Sequence, residues 1–281
     1  MDNVKLIDQL IDIAIIEDIG SGDHTSLSCL DPEIQGKAQL IIKDKGILAG
    51  VEIARKVFYK IDPTLVMDVY LYDGTKISNG DIAFTVEGNQ ISILSAERLV
   101  LNFMQRMSGI ATQTNTYMKQ LEGLNTKVLD TRKTTPGLRY LEKIAVKIGD
   151  GENHRIGLFD MILIKDNHID FAGGIEKAIY KAKKYLRENS LKLDIEVEAR
   201  SLEDVEKILA VSGVKRILLD NFSIDDTKKA VELINKKVET ESSGGITLKN
   251  IREYAMCGVD FISIGALTHQ IKSLDMSLKV I

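Results

Sequence analysis

The chain has 281 residues, with 37 Lys and Arg against 41 Asp and Glu, a formal net charge of −4. That length supports one large α/β domain or two smaller ones with a sizeable core. The acidic balance excludes a general electrostatic pull towards nucleic acid or anionic lipid. The two cysteines, Cys29 and Cys257, match no metal or disulfide spacing, and the longest stretch free of Asp, Glu, Lys and Arg, Met107–Met118, is polar and too short to span a bilayer.

The opening MDNVKLIDQLIDIAIIEDIG is acidic, lacks a basic n-region and reads as an amphipathic helix rather than a signal peptide, so a soluble cytoplasmic protein is expected. EDIGSGDHTS (17–26) follows as a turn-rich acidic loop. The runs QLIIK (39–43), ILAGV (47–51), VMDVYLY (66–72) and IAFTVEG (82–88), separated by Gly, Asp and Asn, predict strands of a small α+β domain. A long helix is predicted from near Ser92 to beyond Gly109, with Leu99, Phe103 and Met107 at i, i+4 and i+8.

From about residue 125 the rhythm changes. KVLD, FDMILI, LDIEVEA, VKRILLD, KVETES and VDFISIGA read as six strands, most of them followed by helical stretches such as SLEDVEKILAV and SIDDTKKAVELI that open on a Ser or Thr cap. Repeated β-then-α units imply a parallel sheet with right-handed crossovers. Six strands fit an incomplete (β/α) barrel or an open doubly wound sheet. No strand is followed by G-x-G-x-x-G, so the barrel is preferred.

Active sites of parallel α/β folds lie at the carboxyl ends of the strands. Those ends carry Thr131, Arg132 and Lys133, then Lys165, Glu196 with Glu198, Asp220, Ser243-Gly244-Gly245, and Ile264-Gly265-Ala266, while His154 and Arg155 precede the second strand. Residues 131–165 hold seven Lys and Arg against four Asp and Glu, a cationic patch in an acidic protein. Singly, each cation is an ordinary loop residue. Together they predict an anionic substrate with several charges, gripped by Arg forks and Lys point charges.

Glu196 and Glu198 lie two apart on a strand and so face one side. One reading is a buried Glu–Lys pair closing the barrel; the other is that at least one of the two, with Asp220, takes part in binding Mg²⁺ or ribose. SSGGITL lets the backbone approach an anion, with Thr247 as the cap of a helix aimed at the site. His168 reads as an ordinary loop histidine.

These residues resemble the quinolinate phosphoribosyltransferase family, the decarboxylating nicotinate-nucleotide pyrophosphorylases. The resemblance is carried by EDIGSGDHTS (17–26), ERLVLNFMQRMSGIAT (97–112), DTRKTTPGLR (130–139), EKIAVKIGDGENHRIGLFDMILIKDNHI (142–169), IEVEARS (195–201), LLDNF (218–222), SSGGI (242–246) and ISIGALTH (262–269). It departs at Asp150, where another Gly is frequent, and at Lys147, where Arg is common. It implies an N-terminal α+β sandwich domain over 1–108, completed by 270–281, and an incomplete six-stranded (β/α) barrel over 109–269. It also implies a homodimer or an assembly of dimers.

By that resemblance Arg98, acting across a two-fold interface, would join Arg132, His154, Arg155 and Lys165 around a pyridine dicarboxylate. Lys133, Glu198, Asp220, Ser243–Gly245 and Ile264–Ala266 would hold phosphoribosyl pyrophosphate and its Mg²⁺, with Lys133, Glu198 and Asp220 nearest the chemistry, and Thr131 would be a further substrate-binding residue. Three other readings stay open: a nicotinate phosphoribosyltransferase without decarboxylation, a Schiff-base aldolase using Lys133 or Lys165, and a non-catalytic pyridine-acid sensor.

Overall fold

Alternation along QGKAQLII builds the first sheet. In the computed structural model, which describes residues 3–281, Ala38, Leu40 and Ile42 of this run are at most 1 % exposed. In chain order the elements are α1 (Asn3–Ile19), α2 (His24–Cys29), β1 (Gln35–Ile42), β2 (Gly46–Ile47), α3 (Val51–Ile61), β3 (Val66–Val69), β4 (Lys76–Ile77), β5 (Ile82–Asn89) and α4 (Gln90–Gln120). There follow β6 (Lys127–Leu129), α5 (Arg139–Ile148), β7 (Ile162–Ile164), α6 (Asp166–Ala172), α7 (Ile175–Glu188), β8 (Ile195–Ala199), α8 (Leu202–Leu209) and β9 (Arg216–Asp220). The chain ends with α9 (Ile224–Ile234), β10 (Glu239–Ser243), α10 (Ile251–Met256), β11 (Phe261–Ser263), α11 (Ala266–His269) and β12 (Met276–Val280). Two compact units result: residues up to 115 with 134–150 and 266–281, and residues 116–133 with 151–265.

The first unit is built on an antiparallel sheet of order β12-β1-β5-β3, in which β12 lies along β1 with Met276 opposite Ile42 and Leu278 opposite Leu40. Helix α4 buries the expected stripe, with Leu99, Phe103 and Met107 all below 9 % exposed. It passes through Gly109 because a side chain there would collide with the Lys272 carbonyl and meet Ser273 Cα at 3.2 Å.

Two expectations in this unit are corrected. ILAGV is not a strand beyond Ile47: Gly50 turns to φ 100, the Ser108 hydroxyl holds Ala49 N–H and carbonyl at 2.8 and 3.0 Å, and α3 begins at Val51. EDIGSGDHTS is less of a loop than its composition suggests. α1 runs to Ile19, and Asp23 caps α2 by accepting the Ser26 N–H at 3.1 Å.

The second unit is a six-stranded parallel sheet of order β6-β11-β10-β9-β8-β7. This is the order of a barrel left open between its first and second strands. Glu152 joins β6 on that side, donating its N–H to Val128 O at 2.8 Å and accepting the Asp130 N–H at 3.1 Å. Ser201 and Ser223 cap α8 and α9 through Asp204 N–H and Asp226 N–H at 3.2 and 3.1 Å, as their positions in the sequence suggest.

β7 is shorter than FDMILI because the Asp160 carboxylate turns back to accept the Ile156 and Gly157 N–H groups at 2.7 and 2.9 Å. Thr247 does not cap the helix after SSGG. Its N–H donates to Asn250 Oδ1 at 2.7 Å, forming a side-chain-closed turn, and α10 starts only at Ile251. No helix among the described residues is long and apolar enough to cross a membrane.

Candidate active site

Strand ends of the second unit surround a cavity of about 310 Å³. The segment after β6 delivers Thr131, Arg132 and Lys133 to it, and the Thr131 hydroxyl accepts the Lys133 N–H at 3.0 Å. Asp130, wholly buried, accepts the His154 N–H at 2.9 Å and so ties the segment carrying His154 and Arg155 beside β6. Lys165 leads from β7 into α6, where its N–H donates to His168 Nδ1 at 3.0 Å; His168 is thus part of that helix start.

Two cations converge in the cavity. Arg155 is held below the usual guanidinium range, first by partial burial and next by the charge of Arg132. Its Nε is buried without a hydrogen-bond partner. Placing two guanidiniums within mutual influence is unfavourable unless an anion joins them. The other wall carries the opposite sign. Glu198 is pushed above the usual carboxylate range by burial and then by the charge of Asp220, with Lys165 acting the other way. A pair of repelling carboxylates on a cavity wall is an oxygen donor set suited to Mg²⁺.

His154 is 8 % exposed and reaches deeper. Its Nε2 stands 2.9 Å from Glu196 Oε2 and 3.4 Å from Glu241 Oε2, and these three residues form the grouping among the described residues with metal-like spacing. Burial acts against a proton on the ring, but the hydrogen bonds and charges of Glu196 and Glu241 outweigh it and push His154 up to about 9. The Arg155 N–H opposes this, since it points at Nδ1 at 2.7 Å and would face a second ring proton. The geometry therefore describes a ring protonated on Nε2 and accepting on Nδ1.

Of the expected residues, Thr131, Arg132, Lys133, His154, Arg155, Lys165, Glu198, Asp220 and Ser243 line one cavity. Glu196 does not line it. Completely buried, it faces His154 rather than a lysine, so it is not half of a Glu–Lys pair, and of the two glutamates Glu198 is the one that lines the cavity with Asp220. Gly244, Gly245, Ile264 and Gly265 lie outside the lining, while Arg98 and Ala266 belong to the other unit, Arg98 exposed on α4 and Ala266 at the start of α11.

Gly244 has a local reason. At φ 93 it packs against Asn221, whose Cγ would stand 2.6 Å from an added side chain. Sequence reading missed Glu241 and Ser263, which also line the cavity. Glu241 was detectable in principle, as the second of two glutamates spaced two apart on a strand, the same pattern as Glu196 and Glu198.

The family model for the quinolinate phosphoribosyl transferase N-terminal domain matches residues 23–108, and that for the C-terminal domain matches residues 110–279. A nicotinate-nucleotide pyrophosphorylase (carboxylating) of Arabidopsis thaliana is 44 % identical over 286 residues, 96 % of this chain and 82 % of the relative. A probable nicotinate-nucleotide pyrophosphorylase of Bacillus subtilis is 40 % identical over 272 residues, 97 % of this chain and 92 % of the relative. The crystal structure of NadC from Streptococcus pyogenes superposes with a TM-score of 0.93 at 38 % identity, covering 99 % of this chain and 97 % of that one. The chain belongs to the quinolinate phosphoribosyl transferase family.

Proposed function

We infer that the chain transfers the phosphoribosyl group of phosphoribosyl pyrophosphate to quinolinate with loss of CO₂, giving nicotinate mononucleotide and pyrophosphate, a step of NAD synthesis. The observation that carries this reading beyond family membership is the convergence of Arg155 and Arg132 in one cavity opposite Glu198 and Asp220. Two guanidinium forks suit a ligand with two adjacent carboxylates. Lys165 adds a point charge in the same cavity, and His154 a polar edge. Lys133 serves the phosphates, together with the Ser243–Gly245 and Ile264–Ala266 loops.

In the first step the pyridine nitrogen forms a bond to ribose C1 as the C1–oxygen bond to pyrophosphate breaks. Glu198 and Asp220 face the positive charge that develops on the ribose. The same pair would hold Mg²⁺, which when bound neutralises the departing pyrophosphate. In the second step the C2–carboxylate bond breaks. The electron pair left on C2 is stabilised by the quaternised ring nitrogen and takes a proton from solvent. Arg132 and Arg155 hold the dicarboxylate in register for both steps, and no covalent nucleophile is required.

Arg98, exposed on α4, acts in this reading from a second copy of the chain, so the enzyme is a homodimer or an assembly of dimers. A cytoplasmic location fits the two free cysteines, Cys29 being exposed. Incubating the protein with quinolinate, phosphoribosyl pyrophosphate and Mg²⁺ tests the activity through nicotinate mononucleotide. A covalent adduct trapped by borohydride with a carbonyl substrate, and no nucleotide, would instead support the aldolase.

A further inference from the structure

Glu241 is fully buried in the barrel interior, on the polar strand β10. It sits in a line of charge. Lys215 Nζ lies 2.8 Å from Glu239 Oε1, Arg216 donates to Glu239 Oε2 at 3.1 Å, and Arg216 Nη1 donates to Glu241 Oε2 at 2.9 Å. That same Glu241 oxygen is 3.4 Å from His154 Nε2, and Glu196 Oε2 is 2.9 Å from it. Beyond the ring, the Arg155 N–H reaches Nδ1 at 2.7 Å and Asp130 accepts the His154 N–H at 2.9 Å. The imidazole is therefore held by its main chain, by Nε2 and by Nδ1.

Spacing alone would also admit a metal ion among His154, Glu196 and Glu241. Arg216 argues against one. Its guanidinium, stacked over the Phe261 ring at 4.0 Å, already brings positive charge to the Glu241 oxygen that faces the ring. Burial and the neighbouring Glu241 charge push Glu196 up, whereas His154, Ser263 and Arg216 keep Glu241 ionised despite its burial. Two buried carboxylates are costly, and neither oxygen of Glu196 nor Oε1 of Glu241 makes a hydrogen bond to offset it, so Glu196 meets the ring as a charge contact at 2.9 Å. Apolar residues would fill a barrel interior more simply. What the carboxylates provide is direction.

We propose that Glu196 and Glu241 are positioning residues for quinolinate: they hold the His154 ring by Nε2, and through the Nδ1 contact they fix the main chain from which Arg155 enters the cavity. This rests on the reading that the dicarboxylate binds beside His154 and Arg155. It adds two residues whose role is exerted through His154, Glu196 lying outside the cavity lining and Glu241 within it. Arg216 and Glu239 anchor the far end of the line.

The test combines a spectrum with kinetics. The protein has four histidines, so the ring N–H proton of His154 is assignable by its loss in His154→Gln. In the wild type this proton exchanges slowly. Glu241→Ala and Glu196→Ala should each bring it into fast exchange and raise KM for quinolinate between about tenfold and about a hundredfold, the scale of misplacing a binding group. KM for phosphoribosyl pyrophosphate should stay within about twofold. Glu196→Gln, which keeps an oxygen beside Nε2, should restore most of both signals.

If Glu241→Ala leaves Arg216 too poorly paired for folding, the Glu196 variants decide, because Glu196 makes no hydrogen bond to Arg216. An equal rise in KM for both substrates, or an unmoved quinolinate KM once the ring proton is lost, would overturn the proposal. The spectrum is read on the protein alone. Absence of quinolinate turnover in the wild type would therefore remove the functional reading without deciding whether the carboxylates hold the ring.

Discussion

At the scale of single residues, the account turns on which charge meets which part of the substrates. Arg132→Ala removes one fork of the dicarboxylate grip. Titration calorimetry should show quinolinate affinity falling by about 1.5–3 kcal/mol, the worth of a charged hydrogen bond, and nicotinate affinity falling much less. Equal losses for the two ligands would contradict the assignment. Glu198→Gln and Asp220→Asn should raise KM for phosphoribosyl pyrophosphate while leaving binary quinolinate binding within about twofold, a split that separates the two halves of the cavity. The cations were legible in the sequence because they cluster at strand ends, where the fold class already places chemistry. The role of Glu241 and the true partner of Glu196 were not. Glu196 and Glu241 both meet His154 across the barrel interior, and contacts between strands far apart in the chain leave no mark on local pattern.

At the scale of elements, period and caps carried most of the reading, and side chains competing with backbone accounted for its failures. The long stripe of α4 and the serine caps of α8 and α9 are local signals and were legible. ILAGV reads as a buried strand, since a short apolar run does not separate strand from helix approach; the positive φ of Gly50 and the Ser108 clasp decide it. Asn250 and Asp160 likewise shorten neighbouring elements by capturing backbone N–H groups. Gly109→Ala probes the close packing on α4, since the added methyl collides with the Lys272 carbonyl. The helix gains propensity from alanine, but overpacking against backbone should win and cost about 1–3 kcal/mol, read as a lower unfolding midpoint. A raised midpoint would mean that the 272–273 segment yields without cost.

At the scale of the whole molecule, the proposed site needs a second copy of the chain. Arg98→Ala and Lys165→Ala homodimers should each be nearly inactive. A mixed dimer should regain activity, because the subunit with intact Lys165 borrows Arg98 from its partner and completes one site. A verified heterodimer without recovered activity would place Arg98 within its own subunit. Central to the whole account is decarboxylating transfer to a dicarboxylate, and label in the C2 carboxylate of quinolinate tests it most directly. With phosphoribosyl pyrophosphate and Mg²⁺, the account expects one labelled CO₂ released for each nicotinate mononucleotide formed, and no comparable turnover of nicotinate. Nucleotide formed from nicotinate at an equal rate, or from quinolinate with the label retained, would contradict it.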